Sequence, residues 1–218
     1  DLKLPMNFEV ELDTDHLLQK AVSRLLSKAG KNKALTKVLV DFAVEKADDD
    51  KSWNIALDLS KTAKLLIKET EASFLHDLSQ HSLTDFQTLK ESLTKEISEA
   101  ETQITSVSTQ VLELIISSGI EFSDFIRGSL PKYFNTLVSK KFDLSFSAQW
   151  QQSIDTTAMY TQKTAPDVAA IIDGLRPQLV EAFQLTKATV YRLRYLKNIR
   201  KNTTPLSVIN LINKELKT

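Results

Sequence analysis

Apolar residues recur every three or four positions between residues 84 and 118, which is the spacing of one face of an α-helix. These positions are Phe86, Leu89, Leu93, Ile97, Ala100, Ile104, Val107, Val111, Leu114 and Ile115. The stretch contains no glycine or proline. Thr84 and Gln87 have the spacing of a capping box, and Gly119 follows as a helix-ending residue. We therefore predict one helix about 50 Å long with another helix alongside it.

The same periodicity predicts three shorter helices on the N-terminal side of this stretch. The first begins at a cap formed by Asp13 or Thr14, and the second covers residues 33–47. The expected buried stripe of the first helix consists of Leu17, Leu18, Ala21, Val22, Leu25, Leu26 and Ala29. The third begins at a cap formed by Ser52 and has a break near Glu71.

The C-terminal half is predicted to contain the partner of the long helix. Residues 141–165 are polar with scattered aromatic residues, so we expect an irregular and mobile segment with short helical pieces there. Pro166 opens a helix, and Pro177 predicts a kink or a restart that leads into a second long helix over residues 178–200. A last helix is expected to start at Thr204-Pro205. The predicted fold is all-α: one elongated helical subdomain, residues 1–218, with two long antiparallel helices and several shorter ones.

Composition supports this fold class and excludes several kinds of chemistry. The chain has 218 residues with 4 glycines and 5 prolines, a scarcity that favours long helices over a turn-rich β protein. It has no cysteine, which excludes disulfides, thiolate metal sites and cysteine nucleophiles. No apolar run approaches the length of a transmembrane helix and no signal peptide opens the chain, so a cytoplasmic location is expected.

No motif for catalysis, phosphate binding or metal binding is recognisable. The scattered glycines form no phosphate-binding loop, and no nucleophile elbow is present. His76 and His81 are five positions apart and do not align on one helix face as a metal pair would. Trp53 and Trp150 could stack on bases, although Trp53 at the start of an amphipathic helix is better explained as a core residue. We predict no catalytic residue, metal or cofactor in this chain.

Basic residues form two sets at helical spacing, although the net charge of the chain is zero. Residues 187–218 contain 8 basic residues and 1 acidic residue, whereas residues 41–101 contain 14 acidic and 7 basic residues. The first set consists of Lys187, Arg192, Arg194, Lys197, Arg200 and Lys201, and the second of Lys20, Arg24, Lys28, Lys31 and Lys33. Such stripes can bind phosphates without reading a base sequence, but a solvated helix face explains them equally well.

Four segments together resemble a known family. They are LKLPMNFEVELDTDHLLQKAVSRLL at the start of the chain, EKADDDKSWNIALDL, GIEFSDFIRGSLPKYFNTL, and TTPLSVINLINKELK at its end. They are similar to the helical 1B subdomain of UvrD-like superfamily 1 helicases of the RecB/AddA type, which occurs in long bacterial helicase–nuclease chains. The resemblance covers essentially the whole chain.

The resemblance implies that this chain is an insertion in the first motor domain of a larger enzyme. In that family, ATP and Mg²⁺ are bound by the rest of the parent chain, and the 1B subdomain lies against duplex or forked DNA. The expected function is therefore non-sequence-specific phosphate contact, within an ATP-dependent DNA helicase or exonuclease of double-strand-break repair. The expected partners are DNA, the rest of the helicase chain and a second helicase–nuclease subunit, with no membrane contact. The expected DNA-binding residues are Lys187, Arg192, Arg194, Lys197 and Arg200, followed by Lys20, Arg24 and Lys28.

Two alternatives belong to other classes of protein. The chain could be a structural or protein-interaction helical module whose long helix docks a partner subunit. It could also be a stand-alone enzyme, which the lack of any catalytic constellation disfavours.

Overall fold

The computed structural model describes residues 13–48 and 54–217, and within these ranges the chain is all-α, as predicted. The β-type pairing there is limited to an isolated antiparallel bridge between Phe125 and Tyr160. The α-helices are α1 (Thr14–Leu26), α2 (Lys33–Asp48), α3 (Ile55–Ala63), α4 (Ala72–Ser79), α5 (Leu83–Ser117), α6 (Ser129–Val138), α7 (Gln149–Gln152), α8 (Pro166–Ser207) and α9 (Ile209–Leu216). Short 3₁₀ helices cover Lys64–Ile67, Glu69–Glu71, Phe122–Asp124 and Ile126–Gly128.

The described residues form two compact units. Unit 1 comprises Asp1–Glu91 and Ile199–Thr218, and unit 2 comprises Ser92–Asn198. The chain leaves unit 1 along α5 and returns to it along α8, which is the order expected of two antiparallel helices.

Unit 1 has an apolar core supplied by its short helices. The core side chains of α1 are Leu18, Ala21, Val22 and Leu25, and they pack with Leu35, Leu39, Phe42, Leu59, Ala63, Val208 and Ile212. Asp13 caps α1 as predicted, because its Oδ1 accepts a hydrogen bond from the backbone N–H of His16 at 2.9 Å. Of the predicted stripe of the first helix, Leu18, Ala21, Val22 and Leu25 face the core, whereas Leu17 and Ala29 are exposed.

The third predicted helix differs from the expectation at both ends. Its predicted cap, Ser52, and Trp53 lie outside the described residues, and α3 begins at Ile55 with Asn54 as its cap. The break near Glu71 extends further toward the N-terminus than predicted, because α3 ends at Ala63 and two 3₁₀ helices precede α4.

The core of unit 2 is rich in large side chains. Phe125, Phe134, Leu137, Leu179 and Phe183 are each almost completely buried. Residues 139–148 form an irregular segment after α6, and after the short α7 the chain stays irregular until Pro166. Residues 141–165 are thus irregular with one short helical piece, α7, as predicted.

The start of α5 is formed by Ser82 and Asp85 rather than by Thr84 and Gln87. The backbone N–H of Ser82 donates to Asp85 Oδ2 at 2.8 Å, and the backbone N–H of Asp85 donates to Ser82 Oγ at 3.2 Å. This reciprocal pair is a capping box, so the predicted box was displaced by two residues. The C-terminal prediction is confirmed, since Gly119 follows α5 with a left-handed φ of 71°.

The helix restarts predicted at Pro177 and Pro205 are both absent, because α8 is continuous through these two prolines. A kink at Pro177, the other expectation for that residue, stays a prediction. Pro205 lies in the last turn of α8 instead of starting a new helix. Proline removes one backbone hydrogen bond, which costs about 3 kcal/mol in a helix interior. Ile172, Leu179 and Phe183 are fully buried on either side of Pro177. Packing of these side chains offsets that cost and keeps α8 continuous.

Candidate nucleic-acid interface

The first basic set lies on α8, but its members fall in both units. Lys187, Arg192, Arg194 and Lys197 belong to unit 2, whereas Arg200 and Lys201 belong to unit 1. Residues 182–207 of α8 include all six of these cations and no acidic residue. The carboxylates that compensate their charge therefore come from other elements.

Arg194 holds the irregular segment that follows α6. Its Nη2 donates to the carbonyl oxygen of Phe142 at 3.2 Å and to that of Leu144, and lies 3.6 Å from an Asp143 carboxylate oxygen. The guanidinium carbon also lies 5.8 Å from the ring centroid of Phe146. Because these groups occupy the guanidinium, Arg194 acts as a clamp for residues 142–146 and is the least available of the set for phosphate.

Arg192 and Lys197 pair with carboxylates of α5. Arg192 Nη2 lies 2.8 Å from Glu96 Oε2, and Lys197 Nζ lies 2.7 Å from Glu101 Oε1. Both basic side chains are well exposed to solvent. Exposed ion pairs contribute only about 0–1 kcal/mol, so a phosphate can replace the carboxylate at little cost.

Lys187 has no carboxylate partner among the described residues. Its Nζ lies 5.9 Å from the ring centroids of both Phe146 and Phe183. A cation held near aromatic faces keeps its charge available to a second anionic group. Lys187 is therefore the member of the unit 2 set whose charge is not offset by a carboxylate.

Two tyrosines that were not predicted as site residues lie among these cations. Tyr191 is 49% exposed and Tyr195 is 66% exposed, one helical turn apart. The ring centroid of Tyr191 lies 5.1 Å from that of Phe146, with an interplanar angle of 39°. The available signal was their position between the buried residues Val190, Leu193 and Leu196, which leaves both rings off the buried stripe of α8.

An aromatic cluster buried in unit 2 supports this surface. Tyr133 contacts Phe134, Phe183, Trp150 and Phe146, with ring centroids 5.0 to 6.3 Å apart. Burial raises the pKa of Tyr133 to about 12, although the hydrogen bond to Thr186 acts in the opposite direction. Trp150, which was considered as a base-stacking residue, packs in this cluster.

The second basic set contains two residues that join helices of unit 1 and three that are exposed to solvent. Arg24 Nη1 donates to the Glu215 carbonyl oxygen at 3.2 Å, and Lys28 pairs with the Glu215 carboxylate, so both fasten α1 to α9. Lys20, Lys31 and Lys33 are exposed and form no ion pair within the described ranges.

Arg200 belongs to a different network, in unit 1. Its Nη2 lies 3.5 Å from Glu45 Oε1, which also accepts Lys90 Nζ at 2.7 Å. The Nε of Arg200 is buried without a hydrogen-bond partner. This network links α2, α5 and α8 within unit 1, and the charge of Arg200 is already shared with Glu45.

The described residues offer no site for metal chemistry. Within residues 13–48 and 54–217, no group of three or more histidine or carboxylate side chains is arranged to hold a metal ion. No helix in those ranges is both long and apolar enough to cross a bilayer.

Comparison with known proteins does not identify the chain. No family model, no curated protein and no solved structure matches it. The resemblance to the helicase 1B subdomain stays a prediction that rests on the chain's own residues.

Proposed function

We propose that this chain is an accessory DNA-contacting subdomain of a UvrD-like, RecB/AddA-type helicase, and that it binds duplex or forked DNA through phosphates. One observation carries the proposal. On the unit 2 part of α8, Lys187, Arg192 and Lys197 alternate with the exposed rings of Tyr191 and Tyr195, and α8 has no acidic residue after Glu181. Cations interleaved with exposed aromatic rings are typical of sequence-independent nucleic-acid surfaces.

The ion pairs of this surface are weak enough for a DNA phosphate to replace the carboxylate in each pair. Arg192 and Lys197 are paired at the surface, where salt and water weaken the attraction to Glu96 and Glu101. A polyanion binds several cations at once and gains free energy from the release of its own counterions. We therefore expect Lys187, Arg192 and Lys197 to contact phosphates, whereas Arg194 positions the segment beside them.

ATP and Mg²⁺ belong to the parent enzyme in this proposal. ATP hydrolysis and any exonuclease activity would reside in other parts of the parent chain or in a partner subunit. The role left to this subdomain is to hold DNA against the motor, a role that needs affinity but no base specificity.

Fluorescence anisotropy with labelled forked, duplex and single-stranded DNA tests the proposal. Binding is measured at about 50 mM and about 200 mM salt, because phosphate contacts weaken steeply over that range. The variant Lys187→Glu/Arg192→Glu/Lys197→Glu should abolish binding. The control Lys68→Glu/Lys95→Glu/Lys163→Glu changes the net charge equally at exposed lysines elsewhere and should bind as the wild type does. Equal loss in both triple variants, or no DNA binding at low salt, would exclude this surface as the site.

A protein-interaction role is the second candidate, and one observation favours it. Val40 and Val44 are 54% and 51% exposed on adjacent turns of α2. Adjacent exposed valines on a helix can pack against a partner helix. Sedimentation velocity of the wild type and of Val40→Ser/Val44→Ser would detect self-association through this face, and a monomer at all concentrations would exclude it.

A further inference from the structure

We propose that Tyr191 and Tyr195 form a stacking platform for the bases of single-stranded DNA. This inference rests on the proposed DNA-contacting function and names the unpaired strand of a fork as the DNA that the two rings contact. The two rings are the most exposed aromatic side chains of unit 2. Since they are four positions apart, they lie on the same face of α8, one turn from each other.

Tyr191 is held in place before any ligand binds. Its ring packs at 5.1 Å against Phe146, and the Arg194 guanidinium carbon lies 5.9 Å from its centroid. Phe146 is itself held, because it contacts Tyr133 in the buried cluster and follows the segment that Arg194 clamps. A ring that is already ordered loses little conformational entropy when a base stacks on it.

Cations flank both rings at helical spacing. Lys187 precedes Tyr191 by four positions, Arg192 precedes Tyr195 by three, and both can reach the phosphates that join stacked bases. Exposed aromatic residues taken singly carry no functional meaning. Here the rings and the cations occupy the same turns of α8, and that combination matches the alternation of base and phosphate in nucleic acid.

Single-stranded DNA fits this surface better than duplex DNA does. In a duplex the faces of the bases are covered by neighbouring base pairs, so an exposed ring has no partner to stack on. In a single strand the faces are accessible, and stacking tolerates every base because each has a π-face. At a fork, the cations would contact either form, whereas the tyrosines would contact only the unpaired strand.

Substitution of the tyrosines separates stacking from phosphate contact. The test uses the whole chain with a labelled single strand of about 16 nucleotides and with a duplex of equal length. Tyr191→Ala/Tyr195→Ala should weaken single-strand binding by about 10-fold or more, with an unchanged salt slope and unchanged duplex binding. Tyr191→Phe/Tyr195→Phe should bind as the wild type does, since phenylalanine keeps the ring. Phe74→Ala, which removes an exposed ring from unit 1, is the matched control and should bind normally.

The outcomes distinguish failure of the platform from failure of the phosphate surface. If the alanine variant binds single strands as tightly as the wild type, while the charge-reversal variant does not, the platform is excluded and the phosphate surface remains. If the phenylalanine variant also loses binding, the hydroxyls and not the ring faces make the contact, and stacking is excluded. If no DNA binds at low salt, both proposals are excluded.

Quenching of 2-aminopurine in the strand should accompany binding of the wild type and disappear in the alanine variant. Circular dichroism of every variant checks that the helices are intact.

Discussion

The hydroxyls of Tyr133 and Thr186 share a hydrogen bond of 2.9 Å in the interior of unit 2. Thr186 Oγ1 also lies 2.8 Å from the backbone carbonyl oxygen of Ala182, within its own helix. The bond between the two hydroxyls joins α6 to α8 beneath the surface that carries Lys187 and Tyr191.

Tyr133→Phe should lower the free energy of unfolding by about 1 kcal/mol at neutral pH, because it removes this buried hydrogen bond. The pKa of Tyr133 rises from 10.0 to about 12 on folding. Its neutral form therefore stabilises the folded state fully below pH 10, and that contribution is lost as the pH rises toward 12. The difference between wild type and variant should shrink over this interval in urea titrations.

Tyr195→Phe is the control for this prediction, since its exposed hydroxyl forms no hydrogen bond within the described ranges. It should unfold with the wild-type midpoint at neutral pH. A constant difference between the wild type and Tyr133→Phe from pH 9 to 12 would contradict the assigned environment of Tyr133.

Ser82→Ala should destabilise the chain by about 1 kcal/mol, because the side chain caps α5. Thr84→Ala, at the position where the sequence pattern places the cap, should change the stability by only a few tenths of a kcal/mol. Guanidinium titrations of the two variants distinguish the two capping boxes. Greater destabilisation by Thr84→Ala would show that the helix begins where the pattern predicts.

Acid titration should show the contribution of the Asp85 carboxylate, which belongs to the same capping box, to the stability of the chain. Hydrogen bonds from the backbone and then the side chain of Ser82 lower the pKa of Asp85 below 3.8. A lowered pKa means that the carboxylate contributes stability above that value and loses it as the pH falls. The stability difference between the wild type and Asp85→Ala should therefore decrease below about pH 4, and thermal unfolding from pH 3 to 7 would measure it.

Arg194→Lys should release the segment that follows α6. Lysine cannot reproduce the planar guanidinium that donates to the Phe142 and Leu144 carbonyls. Trypsin should cut faster at Lys140 and Lys141, which are exposed beside that segment. Arg192→Lys is the control, because its exposed pair with Glu96 survives the change. Equal digestion rates for both variants would show that Arg194 does not hold the segment.

Glu45→Gln should lower the free energy of unfolding by about 2 kcal/mol. Its Oε1 contacts Lys90, which is 13% exposed, and also Arg200. Loss of the carboxylate leaves two partly buried cations without this partner. Adding Lys90→Met should recover part of the loss, whereas Glu99→Gln, from an exposed pair with Lys95, should have no effect. Additive losses in the double variant would contradict coupling between Glu45 and Lys90.

The predictions that held concern local signals. The buried stripe of α1, the cap at Asp13 and the left-handed Gly119 depend on residues within a few positions of one another. The two basic sets were equally visible in the sequence. Which of these cations can bind a phosphate could not be predicted, because their partners lie far from α8 in the sequence. These partners are Glu96, Glu101 and the carbonyls of Phe142 and Leu144.

The sequence by itself determined that the chain is helical, which side of most helices is apolar, and that cysteine chemistry is absent. Those properties follow from side-chain type and helical period, which act over one or two turns. The tertiary structure decided that α8 continues through Pro177 and Pro205, that Arg194 is a clamp, and that Tyr191 and Tyr195 remain exposed among cations. Each of these outcomes depends on packing and charge from elements distant in the sequence, and such contacts can offset a local preference of a few kcal/mol.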